Sequence, residues 1–166
     1  MSRIFIWPAS RPVTLRKSTT AIAIHCTATR EGQNIDATTV DGWHLKQGWA
    51  GIGYHYLIHL DGSIEAGRPE GAVGSHIAGH NSNSVGIVYV GGLDAQGKPK
   101  DTRTAEQKAA LAQLVRQLKA NYRPTKIGGH RDFSPDKNGD GVITPNEWLK
   151  ACPCFDVADW LRSENI

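Results

Sequence analysis

The sequence predicts a single α/β domain with a mixed central β-sheet flanked by helices, and three patterns predict it. Strand-like apolar runs recur at 20–26, 51–60, 84–91 and 125–128. Between and after them lie stretches whose apolar residues repeat at helical spacing. Asp61-Gly62 joins two short runs as a hairpin, so at least one strand is antiparallel in a sheet otherwise built by helical crossovers. A chain of 166 residues is long enough for one domain with a real core.

Residues 1–18 read as a short extended leader with two prolines and several basic residues. Thr20 to Cys26 is a buried strand. Ile22, Ile24 and Cys26 share one face of it, and Ala23 and His25 share the other. Asn34 and Asp36 are candidate caps for a helix to about Gln47, with Gly48 ending it. Val40, Trp43, His44 and Gln47 fall on one face of that helix, with Trp43 expected to point inward. Gly51 to Leu60 is the second strand, and Ser63 to Gly67 returns from the hairpin. Strict alternation puts Tyr54, Tyr56 and Ile58 on one face and His55, Leu57 and His59 on the other. The His55/His59 pair reads either as a polar strand face or as a metal pair. Residues 71–83 are loop. Ser84 to Gly91 is a strongly apolar, central strand. Thr104 caps a helix in a capping box with Gln107, and Leu111, Leu114, Val115, Leu118 and Tyr122 form its core stripe. Arg123-Pro124 stops it. Thr125 to Gly128 is a short strand that delivers His130. Asp156 caps a last helix carrying Trp160 and Leu161.

The chemistry concentrates between His130 and Asp156, where two metal-binding signals are nested. Asp136 to Glu147 fits the twelve-residue calcium loop. Asp136, Asn138 and Asp140 stand at positions 1, 3 and 5, and Gly141 makes the turn at position 6. Val142 offers its carbonyl at position 7, Thr144 is at position 9, and Glu147 closes the site at position 12. The alternative is a solvated Asp/Asn/Gly turn. No second such loop exists, and Phe133 to Pro135 leaves no room for a long entering helix, so a paired calcium sensor is excluded. Around this loop stand His130 and Cys152, both soft enough for zinc. His25 is the candidate third ligand, although a lone His at a strand end is commonly structural.

A net charge of +3 suits an anionic surface such as a cell wall and is too weak for nucleic acid. No run approaches eighteen apolar residues, so no membrane span is expected. The start is broken by Pro8 too soon for a signal h-region, which predicts synthesis in the cytosol. The cysteines number three, and Cys152 and Cys154 are too close for an easy disulfide, which favours a metal role for at least one.

Beyond these patterns, an ordered set of motifs carries a resemblance. It comprises Ile24-His-Cys-Thr-Ala-Thr29, Gly48-Trp49, Gly53-Tyr-His-Tyr56, Glu65-Ala-Gly-Arg68, Ala72-Val-Gly-Ser-His76, Asn83-Ser84, Val90-Gly-Gly92 and Lys150-Ala-Cys-Pro153. Over residues 19–166 the chain resembles the type 2 zinc N-acetylmuramoyl-L-alanine amidases, the phage-lysozyme and peptidoglycan-recognition type. The resemblance implies zinc on His25, His130 and Cys152, with Tyr54 and Lys150 as catalytic residues. Two His and one Cys leave one zinc position open, the catalytic arrangement, and a zinc-bound water ionises near pH 7. On this reading Lys150 stabilises the oxyanion, while Tyr54 donates or accepts a proton or orients the water. His76 is a candidate substrate contact, and Cys154 a competitor for Cys152.

The calcium loop sits where the family has a short connection, which suggests that calcium orders the segment carrying Lys150 and Cys152. The implied protein is a monomeric phage or prophage endolysin acting on cell-wall peptidoglycan. It would be made in the host cytoplasm and reach the periplasmic wall through a holin. A non-catalytic peptidoglycan-binding protein and a cytosolic muropeptide-recycling amidase are the alternatives.

Overall fold

The computed structural model describes residues 4–166; the first three positions of the expected leader lie outside it. Five strands form the main sheet: β1 (Ala21–Cys26), β3 (Tyr56–Ile58), β4 (Ile64–Ala66), β5 (Ser84–Tyr89) and β7 (Lys126–Gly129), in the order β4-β3-β5-β1-β7. β3, β5, β1 and β7 run parallel, and β4 pairs antiparallel with β3 through the Asp61-Gly62 hairpin. A small parallel pair, β2 (Thr29–Arg30) with β6 (Gly92–Leu93), extends beyond the ends of β1 and β5. The expected mixed sheet is therefore present, with the apolar β5 at its centre.

Alternation along β1 and β5 sorts the core into two halves. Ile22, Ile24, Cys26, Val85, Ile87 and Tyr89 face α2 (Ala105–Tyr122) and α3 (Val157–Ser163). The stripe Leu111, Leu114, Val115 and Leu118 is buried there, and the Thr104–Gln107 capping box opens α2 as its sequence requires. Asp36 caps α1 (Ala37–Lys46) by accepting from the Thr39 amide. Ala37 and Val40 of α1 cover the opposite face with Leu57, Val88 and Val90. Phe5 and Trp7 of the leader pack against this second cluster, and Arg11 pairs with buried Asp41 at 2.6 Å, so the leader is fastened to the domain.

Two expectations fail locally. The second strand is only three residues long, because its expected first half bonds to α1 instead of a ladder. The Ile52 amide donates to Asp41 and the Gly53 amide to His44 Nδ1. Alternation therefore does not reach Tyr54, which turns away from Tyr56 toward His25 and His44. Trp43 does not point inward: it is 37% exposed, because Val40 and His44 take the buried positions of the helix.

Candidate metal and catalytic site

β1 and β7 are parallel neighbours, so their carboxyl ends lie side by side, where open α/β sheets place their ligand sites. His25 is the penultimate residue of β1, on the face opposite Ile24, and His130 follows β7 directly. Cys152 arrives from the other side of the loop. Its carbonyl accepts from the Arg131 amide at 2.9 Å, and the Tyr89 hydroxyl holds the Pro153 carbonyl at 2.5 Å. Gly129 makes this approach possible, since a Cβ there would lie 2.3 Å from Pro153 Cδ.

The result is a His25–His130–Cys152 cluster whose ligand atoms lie within 4.8 Å of one another, the single such group of His, Cys, Asp and Glu among the described residues. His25 Nδ1 stands 3.2 Å from His130 Nδ1 and 3.9 Å from Cys152 Sγ. A tetrahedral zinc with ordinary Zn–N and Zn–S bonds needs these separations at roughly 3.3 and 3.6 Å, so the donor set fits that ion. Burial drives the His25 pKa well below its usual value, with His76, His130 and Lys150 adding to it. Burial and Lys150 bring His130 down to about 4. Both imidazoles therefore keep free lone pairs. The Cys26 amide points at Cys152 Sγ from 3.3 Å, a donor for a thiolate.

A groove opens over this cluster, lined by Tyr54, Lys150, His44, Trp43 and Trp49 among others. The Tyr54 ring centroid is 5.1 Å from that of His25. Burial first, then Cys152 and Cys26, raise the Tyr54 pKa, so its phenol stays protonated. Trp43, Trp49 and His44 are groove residues that sequence reasoning did not assign to the site. The signal for Trp43 and His44 was the helix face they share with Val40, which serves both core and groove, and for Trp49 it was the Gly48-Trp49 motif.

Other expected site residues are placed differently. His76, expected as a substrate contact, also lines the groove; it is 7% exposed, and both of its ring nitrogens are bonded within the protein, to His25 and Ser84. Cys154 Sγ faces Cys26 Sγ at 3.9 Å, away from the cluster. His55 bonds the Gly86 amide and the Ala72 carbonyl, and His59 pairs with Glu65. These two are structural, not a metal pair.

The 136–147 loop closes on itself. Asp136 accepts from the Gly139 and Gly141 amides, and Asp140 from Val142. Glu147 Oε1 accepts from the Lys137 and Asn138 amides, and its Oε2 from Thr144. Those bonds, the Thr144 amide foremost, lower the Glu147 pKa. Single 3-10 turns, His130–Phe133 and Pro145–Glu147, stand where longer helices would flank a sensor loop. The Val142 side chain is exposed.

A mixed sheet carrying a two-His, one-Cys cluster at its carboxyl edge defines a candidate metal site beside a groove. The comparisons make the class specific. The family model for N-acetylmuramoyl-L-alanine amidase matches residues 15–145, and the chain belongs to that family. It is 41% identical to the endolysin of Escherichia phage T7 over 151 residues, 91% of each chain. It is 38% identical to the endolysin of Enterobacteria phage K11 over 153 residues, 92% of each chain. Among solved structures, the N-acetylmuramoyl-L-alanine amidase LysC from Clostridium intestinale aligns with a TM-score of 0.74 at 28% identity, covering 98% of this chain and 94% of that one. The chain is a peptidoglycan hydrolase of the amidase class.

Proposed function

We propose that this amidase acts as an endolysin, cutting between N-acetylmuramic acid and L-alanine with zinc held by His25, His130 and Cys152. The observation that carries the reading is the convergence of these three donors beside the groove, at separations that would suit a zinc ion and leave it one place for water. Zinc, when bound, supplies a Lewis acid and a water acidified toward neutrality. The chain's own residues do the rest. The protonated Tyr54 phenol is a hydrogen-bond donor, which narrows its role to orienting the scissile carbonyl or protonating the leaving amine. The Lys150 ammonium, close enough to depress both His25 and His130, opposes negative charge growing on the carbonyl oxygen. Trp43 and Trp49 offer flat apolar faces to the saccharide.

The likeness to endolysins of enterobacterial phages supports a Gram-negative wall as target and synthesis in the host cytoplasm; on this reading a holin releases the protein and it acts as a monomer. Among the described residues no helix is long and apolar enough to cross a membrane.

Calcium belongs, on this reading, to the 136–147 loop, where it would order the segment leading to Lys150 and Cys152. The loop's spacing and the bonds that bring Glu147 back to Lys137 and Asn138 support this.

Metal removal and replacement tests both ions. Chelated protein should release no L-alanine amines from peptidoglycan and should recover with zinc, while Cys152→Ser should not recover. Calorimetric calcium titration should give a binding isotherm for the wild type and none for Asp136→Ala/Glu147→Ala. A flat wild-type isotherm rejects the calcium site.

A further inference from the structure

His76 is a buried histidine whose two nitrogens both belong to one chain of hydrogen bonds ending at the metal cluster. The chain runs from His25 Nε2 to His76 Nδ1 at 2.9 Å, from His76 Nε2 to Ser84 Oγ at 3.2 Å, and from Ser84 Oγ to the His80 carbonyl at 2.7 Å. Its far end fixes every proton. A carbonyl only accepts, so the Ser84 hydroxyl spends its one proton on His80. Ser84 Oγ must then accept from His76, which puts the His76 proton on Nε2. Nδ1 of His76 is left as an acceptor, so the His25 proton sits on Nε2. His25 Nδ1 is therefore bare, and it is the atom that faces His130 and Cys152.

The surroundings hold the His76 ring to this task. Asn81 Oδ1 accepts from the amides of both His76 and Ile77, at 2.8 and 2.9 Å, which pins the loop. Gly86 of β5 leaves the ring its seat, since a Cβ there would lie 2.7 Å from His76 Cγ and Nδ1.

We propose that His76 is a positioning residue for the metal site: as the obligate acceptor of the His25 Nε2 proton, it locks the tautomer and ring orientation that present His25 Nδ1 to zinc. It acts through His25, outside the His25–His130–Cys152 cluster. Outer partners of metal-bound histidines typically contribute about 10–100-fold in metal affinity. The inference rests on the zinc reading above.

The test is zinc affinity by competition with a chromophoric chelator, for wild type, His76→Phe, His76→Gln and Ser84→Ala, with cobalt(II) absorption spectra of each. His76→Phe keeps the volume and loses the acceptor, so its affinity should fall about 10–100-fold and its cobalt bands should shift. His76→Gln, whose Oε1 can accept, should recover most of the affinity. Ser84→Ala frees His76 to take the other tautomer and should weaken zinc less than His76→Phe does; it decides the matter if His76→Phe does not fold. Zinc affinity within twofold of wild type in folded His76→Phe, or in Ser84→Ala should the former not fold, overturns the proposal. A wild type that binds no zinc overturns the zinc reading itself.

Discussion

Acid should destabilise this fold through His55, and the structure sets the size of the effect. His55 is 1% exposed. Its Nδ1 accepts from the Gly86 amide at 2.9 Å and its Nε2 donates to the Ala72 carbonyl at 2.8 Å, so the neutral ring is fully satisfied. A second proton would sit on Nδ1, against an N–H donor. Burial, with Arg16 and Arg68 nearby outweighing Glu70, brings the pKa from 6.5 to about 4. An unfolded imidazole takes up its proton near 6.5, and the folded one resists until about 4. Between these values the unfolded state binds more protons, so stability is complete above 6.5 and is lost as pH falls through the window. At about 1.4 kcal/mol per pKa unit, the loss by pH 4 is about 3 kcal/mol. His55→Gln removes the titration while keeping an acceptor and a donor. Urea unfolding of both metal-free proteins at pH 7 and pH 4 isolates the term, since other groups are shared. The stability difference should move by about 3 kcal/mol in favour of the variant on going to pH 4. A difference that stays constant with pH would refute the argument.

Three further outcomes follow from the same geometry. Cys154→Ser should bind zinc as tightly as the wild type, because the Cys154 thiol faces Cys26; a loss of zinc, read by metal analysis, would make it a ligand. Tyr54→Phe should lower kcat about 100-fold with zinc content unchanged, as expected for loss of a proton donor, and an unchanged kcat would remove Tyr54 from the chemistry. Leu111→Ala, at a fully buried position of the α2 stripe, should cost about 3 kcal/mol in chemical denaturation without touching zinc affinity.

What the sequence made legible was whatever is encoded locally. The α2 stripe, its capping box, the apolar β5 run and the Asp61-Gly62 hairpin each follow from short-range rules, and each is present. Long-range joins were less legible. His25 and His130 lie 105 positions apart, so no spacing rule links them; ordered family motifs did. Tyr54 was assigned to the wrong face because alternation assumes a ladder, and the amides of Ile52 and Gly53 bond to α1 side chains instead. Trp43 was taken for core because a helix face read from sequence does not show that a groove interrupts it. The ring bonds of His76 were not legible because its partners, His25 and Ser84, converge on it only in the folded chain.

The most direct test of the account is to digest purified Gram-negative sacculi with the zinc-loaded protein and analyse the products by mass spectrometry. The account predicts peptide stems with new free L-alanine amino termini, glycan strands stripped of peptide, and no new reducing sugar ends, with Cys152→Ser producing none of these. New reducing ends, or equal release by wild type and Cys152→Ser, would contradict it.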